Sequence, residues 1–118
     1  MEHGTTTITG RAVDERVGIV EVHGDMNAGS EDALMAAYAE ACGSATKGVV
    51  LNFDKLEFLN SGGIGLLVTL LVRANRGGQR IGACGLSEHY QEIFELTRLD
   101  DAIAIHPTEA DAILAVTR

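Results

Sequence analysis

The chain has 118 residues, 46% of them hydrophobic, and this length and composition suit a single compact domain over residues 1–118. Its seventeen acidic and nine basic residues give a formal charge of −8, which argues against nucleic acid and anionic membrane surfaces as partners. Aromatic residues amount to only 4%, so a ring-stacking ligand site is not expected and proteins are the expected partners.

Two runs rich in β-branched residues open the chain, at 5–13 and 17–23. They flank the polar sequence Asp14-Glu15-Arg16, where a tight turn is expected. Two short strands joined by a polar turn predict an antiparallel hairpin.

The next segments predict a helix followed by a buried strand. Residues 24–29 break the strand pattern, and Ser30 is expected to cap a helix that ends near Cys42, with acidic residues in its first turn that suit the helix dipole. The continuous apolar run at 48–53 is typical of a strand that is buried on both faces. That strand should lie at the centre of a sheet.

The second half of the chain alternates helices with strands. Helices are predicted over 64–75, 88–96 and 108–116, and strands over 80–85 and 102–106. Together with the hairpin, the order becomes ββαβαβαβα. This alternation predicts an α/β fold with a mixed, mostly parallel central sheet of about five strands and helices packed on it.

Neither the N-terminal residues nor the longest apolar stretch indicates a membrane segment. Residues 1–5 contain no basic region and no apolar run of the kind found in secretory signals. The dense apolar stretch 64–72 is shorter than the roughly 20 residues that span a bilayer. We therefore expect no membrane insertion and a cytoplasmic location.

Ser61 stands at the junction between the buried strand with its turn and the apolar helix that follows. Ser is a preferred N-cap, and the first turn of a helix offers unpaired N–H groups with partial positive charge. Ser61 is therefore expected to cap the helix, to present its hydroxyl, and to tolerate an added phosphate. Two interpretations remain open: a plain cap, and a cap that is also modified.

Other chemical interpretations of this stretch fail on spacing. A nucleophile elbow requires Gly-x-Ser-x-Gly, and Leu59 occupies the first glycine position before Ser61. The glycine-rich run 62–65 has no Lys and has the wrong glycine spacing for a nucleotide phosphate. The histidines share no metal-ligand spacing, and Cys42 and Cys84 are expected to be reduced, buried thiols. No catalytic residue, metal or cofactor is therefore expected.

The helix after Ser61 has an unusually apolar second flank. At roughly 100° per residue, the side expected to face the core carries Ile64, Leu67, Val68, Leu71 and Asn75. The opposite flank carries Gly62, Leu66, Thr69, Leu70 and Arg73. We expect this flank to be an exposed docking surface, and the alternative is that a neighbouring helix covers its two leucines. A phosphate at Ser61 would add roughly −1.5 to −2 charges at its edge and disfavour docking.

These patterns together resemble the STAS domain (sulphate transporter and anti-sigma factor antagonist). The resemblance covers nearly the whole chain and rests on the ββαβαβαβα order and four stretches of sequence. These are Gly24-Asp25-Met26-Asn27, Val49-Val50-Leu51-Asn52-Phe53, Leu59-Asn60-Ser61-Gly62-Gly63-Ile64-Gly65-Leu66-Leu67 and Phe94-Glu95-Leu96-Thr97-Arg98-Leu99. Within the family, the chain is similar to the stand-alone bacterial anti-sigma factor antagonists.

The resemblance implies a phosphorylation switch rather than an enzyme. It implies that an anti-sigma factor, which is also a serine kinase of the histidine-kinase-like ATPase fold, phosphorylates Ser61, and that a serine phosphatase restores the binding form. The unphosphorylated protein would capture the anti-sigma factor and free the sigma factor for transcription. The expected partner-binding residues are Asp25, Asn27, Asn60, Ser61, Gly62, Leu66, Thr69, Leu70 and Arg73.

Two residues depart from the family pattern that the chain resembles. Asn60 stands where the family usually has Asp, and Gly62 stands where a second hydroxyl residue is frequent. Asn60 favours one alternative, a STAS adaptor that is never phosphorylated, in a signalling assembly or beside a transporter. A domain that senses a nucleotide or lipid is a second alternative. We expect the protein to be a monomer or a weak dimer.

Overall fold

Five strands form one mixed sheet in the computed structural model of the protein, which describes residues 6–118. The strands are β1 (Thr7–Ala12), β2 (Val17–Met26), β3 (Gly48–Leu59), β4 (Arg80–Cys84) and β5 (Ala104–His106). The helices are α1 (Glu31–Ala41), α2 (Ser61–Arg76), α3 (Glu88–Leu96) and α4 (Glu109–Thr117). None of the helices formed by these residues is long and apolar enough to cross a membrane.

The strands lie side by side in chain order, β1-β2-β3-β4-β5. The hairpin pair β1 and β2 is antiparallel, and the other three pairs are parallel. Because each parallel crossover moves one strand further in the same direction, the usual right-handed connection places α1, α2 and α3 on one face of the sheet. The core contacts agree, and α4 packs alone on the other face. The predicted α/β fold with a mixed, mostly parallel sheet is confirmed.

The central strand β3 is buried on both faces where it lies between β2 and β4. Val49, Leu51 and Phe53 contact the three-helix face, and Val50 contacts the α4 face, all with 1% exposure or less. β3 is longer than the predicted run at 48–53, because β2 continues beside it through two register irregularities. The second half of β3 contains Asp54, Lys55 and Glu57, and these polar residues are more typical of a loop than of a buried strand.

Several element boundaries differ from the prediction. β2 continues to Met26 through the predicted break, with Gly24 in the left-handed region at a φ of 83°. Ser30 lies at the N-cap position of α1 but its buried hydroxyl makes no cap bond to that helix. β5 begins at Ala104 because residues 99–101 form a 3₁₀ turn. Residue 5 of the predicted first strand lies outside the described residues.

The inward face of α2 differs from the predicted one. Its buried residues are Gly63, Leu66, Leu67, Leu70 and Ala74. The predicted exposure of Leu66 and Leu70 is therefore wrong, since they are 8% and 0% exposed, and neither can form a docking surface in this fold. Val68 and Val72, in contrast, are 44% and 47% exposed.

The physical reason is that two small residues complete the buried face of α2. Gly63 lies so close to the end of β2 that an added Cβ would be 2.5 Å from the Met26 carbonyl oxygen. Ala74 lies on the same buried face, one turn after Leu70. A prediction that counts only large apolar side chains as core residues places the centre of the buried face near Ile64. That centre lies roughly 100° around the helix axis from the observed one.

Replacing Leu70 with Ala should lower the free energy of unfolding by about 2–5 kcal/mol, because it leaves a cavity in the core. The matched change Val72→Ala on the exposed face should alter it by less than about 0.5 kcal/mol. Urea unfolding followed by circular dichroism measures both. Equal, small effects of the two changes would contradict the orientation of α2.

Candidate functional site

The candidate site lies where β2 and β3 end side by side. Met26 and Leu59 are the last paired residues of the two strands, and the Asn60 N–H donates a hydrogen bond to the Met26 carbonyl oxygen at 3.3 Å. The carboxyl ends of neighbouring parallel strands are the usual place for sites in such sheets. The predicted segments around Asp25 and Ser61 are thereby brought together.

The segment after β2 and the first turn of α2 are in direct contact. A Cβ added at Gly62 would lie 2.8 Å from the Ala28 backbone nitrogen and 2.9 Å from the Ala28 Cβ. Any larger residue at position 62 therefore requires the segment after β2 to move. This close contact gives a structural reason for a glycine where the resembled family often has a second hydroxyl residue.

Asn60, rather than Ser61, is the N-cap of α2. Its backbone is extended, and its side-chain Oδ1 accepts a hydrogen bond from the Gly63 N–H at 2.9 Å. The predicted cap at Ser61 is wrong because Asn is as good an N-cap as Ser and stands one residue earlier. An aspartate at position 60 would make the same bond, so Asn60 keeps the capping role of a carboxylate without its charge.

Ser61 is the first residue of α2, and its side chain is exposed. Since Asn60 makes the cap, the Ser61 hydroxyl is not needed to begin the helix. The first turn of α2 contains no acidic residue, so the positive end of the helix dipole is not compensated there. A phosphate on Ser61 would lie at a helix end that stabilises an anion by about 0.3–1 kcal/mol.

Asn27 shapes the segment after β2. Its Oδ1 accepts a hydrogen bond from the Gly29 N–H at 2.8 Å, and its backbone N–H donates to the Ser30 Oγ at 3.1 Å. These bonds close the 3₁₀ turn Ala28–Ser30, which contacts α2. The Asn27 side chain is therefore occupied by local structure, and it acts on the site by fixing the shape of this turn.

Asp25 lies on β2 opposite Phe58 of β3, and its side chain is half-buried. Phe58 is 52% exposed, and it is one of the large hydrophobic residues that the described part of the chain leaves exposed. Sequence reasoning did not identify Phe58. The sequence gives little indication that Phe58 is exposed. The two irregularities in the pairing of β2 with β3 interrupt the alternation that would assign each residue to a face of the sheet.

The exposed face of α2 begins at Ser61 and runs the length of the helix. A shallow groove of about 350 Å³ lies on this face, lined by Val68, Thr69, Val72, Arg73 and Arg76. The predicted exposure of Thr69 and Arg73 is confirmed, whereas Val68 and Val72 replace the two leucines. α2 contains no acidic residue, so this surface is apolar and basic in a chain of net charge −8.

The two thiols are buried or half-buried, and the metal-ligating residue types are dispersed over the described part of the chain. Burial raises the pKa of Cys42 and of Cys84 to about 11, so both thiols stay protonated and weakly nucleophilic near neutral pH. Cys84 is buried as predicted, but Cys42 is only half-buried. Over residues 6–118, no group of three His, Cys, Asp or Glu side chains is arranged to hold a metal ion.

Comparisons with known proteins agree with this architecture. The family model described as STAS domain matches residues 11–112. An anti-sigma factor antagonist from Mycobacterium paratuberculosis has a similar structure, with a TM-score of 0.75 at 23% identity over 98% of this chain and 95% of that one.

Two structures of SpoIIAA are also similar. The anti-sigma factor antagonist SpoIIAA in its unphosphorylated form has a TM-score of 0.70 at 17% identity, over 94% of this chain and 98% of that one. The Bacillus cell fate determinant SpoIIAA in the phosphorylated form has a TM-score of 0.69 at 18% identity, over 93% and 99%. At such identities the likeness shows a shared fold.

Removing the cap with Asn60→Ala should lower the free energy of unfolding by about 1 kcal/mol, because the Gly63 N–H loses its partner. Asn60→Asp keeps the acceptor and adds a charge that suits the helix N-terminus, so it should retain the wild-type value or raise it slightly. Chemical denaturation at neutral pH compares the two. An equal loss in both variants would refute the capping role of this side chain.

Proposed function

This chain belongs to the STAS domain family, and we propose that it is an anti-sigma factor antagonist whose partner binding is switched by phosphorylation of Ser61. The observation that carries this proposal is an exposed serine at the start of α2, continuous with an exposed apolar and basic helix face. The hydroxyl is accessible to a kinase, and the adjoining face is suited to protein contact.

The position of Ser61 favours a switch that changes binding without changing the fold. A phosphate adds about −1.5 to −2 charges at neutral pH. At the N-terminus of α2 that charge is favourable for the helix, so the fold should persist. At the edge of the docking surface it changes the charge and hydration that a partner meets. Binding is therefore weakened while stability is kept.

The exposed face of α2 is the proposed docking surface in its corrected form. Val68 and Val72 supply the apolar contact, and Arg73 and Arg76 supply positive charge at its end. The partner surface that complements it is an apolar patch with acidic residues at one side. Phe58, exposed beside Asp25 at the same edge of the sheet, adds an aromatic group of the kind that anchors interfaces.

The proposed partner is an anti-sigma factor that is also a serine kinase of the histidine-kinase-like ATPase fold, and a serine phosphatase reverses its action. In its unphosphorylated form this chain binds the anti-sigma factor and thereby frees the sigma factor, in the cytoplasm. The chain is substrate and ligand in this cycle, with the chemistry supplied by its partners. The similar structures of SpoIIAA in phosphorylated and unphosphorylated forms support such a cycle.

A constitutive adaptor is the second candidate, and Asn60 is the observation that favours it. The resembled family usually offers a carboxylate beside the phosphorylated serine, and this chain offers a neutral amide engaged in capping. A kinase that requires the negative charge would leave Ser61 unmodified. The docking face of α2 would then serve an unregulated contact. The shallow shape of its groove suits protein contact better than enclosure of a nucleotide or lipid.

Incubation with the cognate kinase and ATP should add one phosphate to the wild-type protein and none to Ser61→Ala. The exposed hydroxyl of Thr69, on the same face of α2, provides the matched control, and Thr69→Ala should still acquire one phosphate. Intact-mass and peptide mass spectrometry locate the modification. Phosphate on Thr69, or no phosphate on the wild-type chain, would contradict the switch.

Val72→Gln should weaken binding of the unphosphorylated protein to the anti-sigma factor about 10-fold or more, because an interface anchor contributes over 1 kcal/mol. Leu114→Gln is the matched control, since Leu114 is 61% exposed on α4 at the opposite face of the sheet. Calorimetric titration measures both affinities. Equal affinities for Val72→Gln and wild type would exclude α2 as the docking surface.

A further inference from the structure

The Tyr90 hydroxyl of α3 contacts the strand end that leads into Ser61. The Leu59 backbone N–H donates a hydrogen bond to the Tyr90 Oη at 3.0 Å. Both residues are buried, with exposures of 9% for Tyr90 and 4% for Leu59. This bond joins residues that are far apart in sequence, and it lies two residues before the proposed phosphorylation site.

The Leu59 N–H requires such a partner because, among the described residues, no strand pairs with β3 on the side to which this N–H points. The following N–H, that of Asn60, points towards β2 and donates to Met26. Since successive N–H groups of a strand point to opposite sides, the Leu59 N–H points away from β2. The pairing of β3 with β4 ends at Asn52 and Cys84, well before Leu59. The Tyr90 hydroxyl therefore takes the place of a strand carbonyl.

α3 holds the Tyr90 side chain in a defined position. Ser87 caps this helix, and its Oγ accepts a hydrogen bond from the Tyr90 N–H at 3.3 Å. The Gln91 side chain donates to the Leu86 carbonyl oxygen at 2.9 Å, which fixes the entry into the helix. One turn further on, Phe94 packs edge-to-face on Phe53 of β3 with ring centroids 6.2 Å apart.

The turn before Ser61 is thus held from two sides, by Met26 on β2 and by Tyr90 on α3. We propose that Tyr90 is a positioning residue, whose hydroxyl fixes the backbone at Leu59 and thereby the orientation in which Ser61 is presented to a kinase. The proposal rests on the proposed function, in which Ser61 is phosphorylated.

Tyr90→Phe removes only the hydroxyl, and Tyr38→Phe is the matched control. The Tyr38 hydroxyl also makes one side-chain hydrogen bond, to the Gln79 Oε1 at 2.6 Å, but it joins α1 to the residues after α2. These are the two tyrosines of the chain. Each variant loses the same atom, and only one of the lost bonds touches the turn before Ser61.

The first measurement is hydrogen exchange of backbone amides in the full-length protein, followed by NMR without any partner. In Tyr90→Phe the Leu59 amide should exchange about 10-fold faster or more, while the amides of Val49 and Leu51 in the centre of β3 stay as slow as in wild type. Tyr38→Phe should leave the Leu59 amide unchanged. An unchanged Leu59 rate in Tyr90→Phe, or equal acceleration throughout β3, would overturn the proposal.

The second measurement separates positioning from general support of the fold. With the cognate kinase, Tyr90→Phe should lower kcat for Ser61 phosphorylation about 10-fold and leave KM within about twofold. KM is kept because the docking face of α2 is intact, and kcat falls because the Ser61 hydroxyl is poorly oriented. A kcat equal to that of wild type in Tyr90→Phe would overturn the role of Tyr90 but not the proposed function. If the wild-type chain is not phosphorylated, the proposed function is overturned, and so is the role of Tyr90 in presenting Ser61 to a kinase. The exchange rates then still show whether the Tyr90 hydroxyl orders the turn.

Discussion

The first turn of α2 lies in close contact with the end of β2, and this contact determines the geometry of the site. Glycine at positions 62 and 63 permits it, since a Cβ at either position would lie within 2.8 Å of backbone atoms of Ala28 or Met26. With no side chain on either glycine, the Asn60 backbone N–H donates to the Met26 carbonyl oxygen and the Asn60 side chain caps the helix. The serine that follows is left exposed at a helix end that favours an anion.

This arrangement explains how one residue can control binding without being part of the core. The cap of α2 is made by Asn60, the inward face is filled by Leu66, Leu67 and Leu70, and Ser61 takes part in neither. A charge added there changes the surface while the helix and its packing are kept. The exposed valines and arginines of α2 begin about two turns later. Gly65, between them and Ser61, is also exposed, so the serine and the docking face lie on one exposed side of the helix.

Hydrophobic periodicity predicted the element order and the mixed sheet, because the buried run of β3 and the turn residues between elements are local signals. It failed where the outcome depends on tertiary contact. The buried face of α2 includes the small residues Gly63 and Ala74, which contribute little to a hydrophobicity pattern. Asn60 and Ser61 are adjacent residues of equal capping preference, so the sequence alone does not choose between them. The exposure of Phe58 depends on irregular strand pairing, and the contact of Tyr90 with Leu59 joins distant elements.

The proposed switch requires that phosphate on Ser61 weaken partner binding while leaving the fold intact. The most direct test compares the Ser61-phosphorylated and unphosphorylated protein in two respects, the Kd for the same anti-sigma factor and the thermal unfolding midpoint. We expect an affinity at least about 10-fold lower for the phosphorylated protein, equivalent to about 1.4 kcal/mol, with nearly equal midpoints. Equal affinities of the two forms, or a phosphorylated form that has lost its fold, would contradict it.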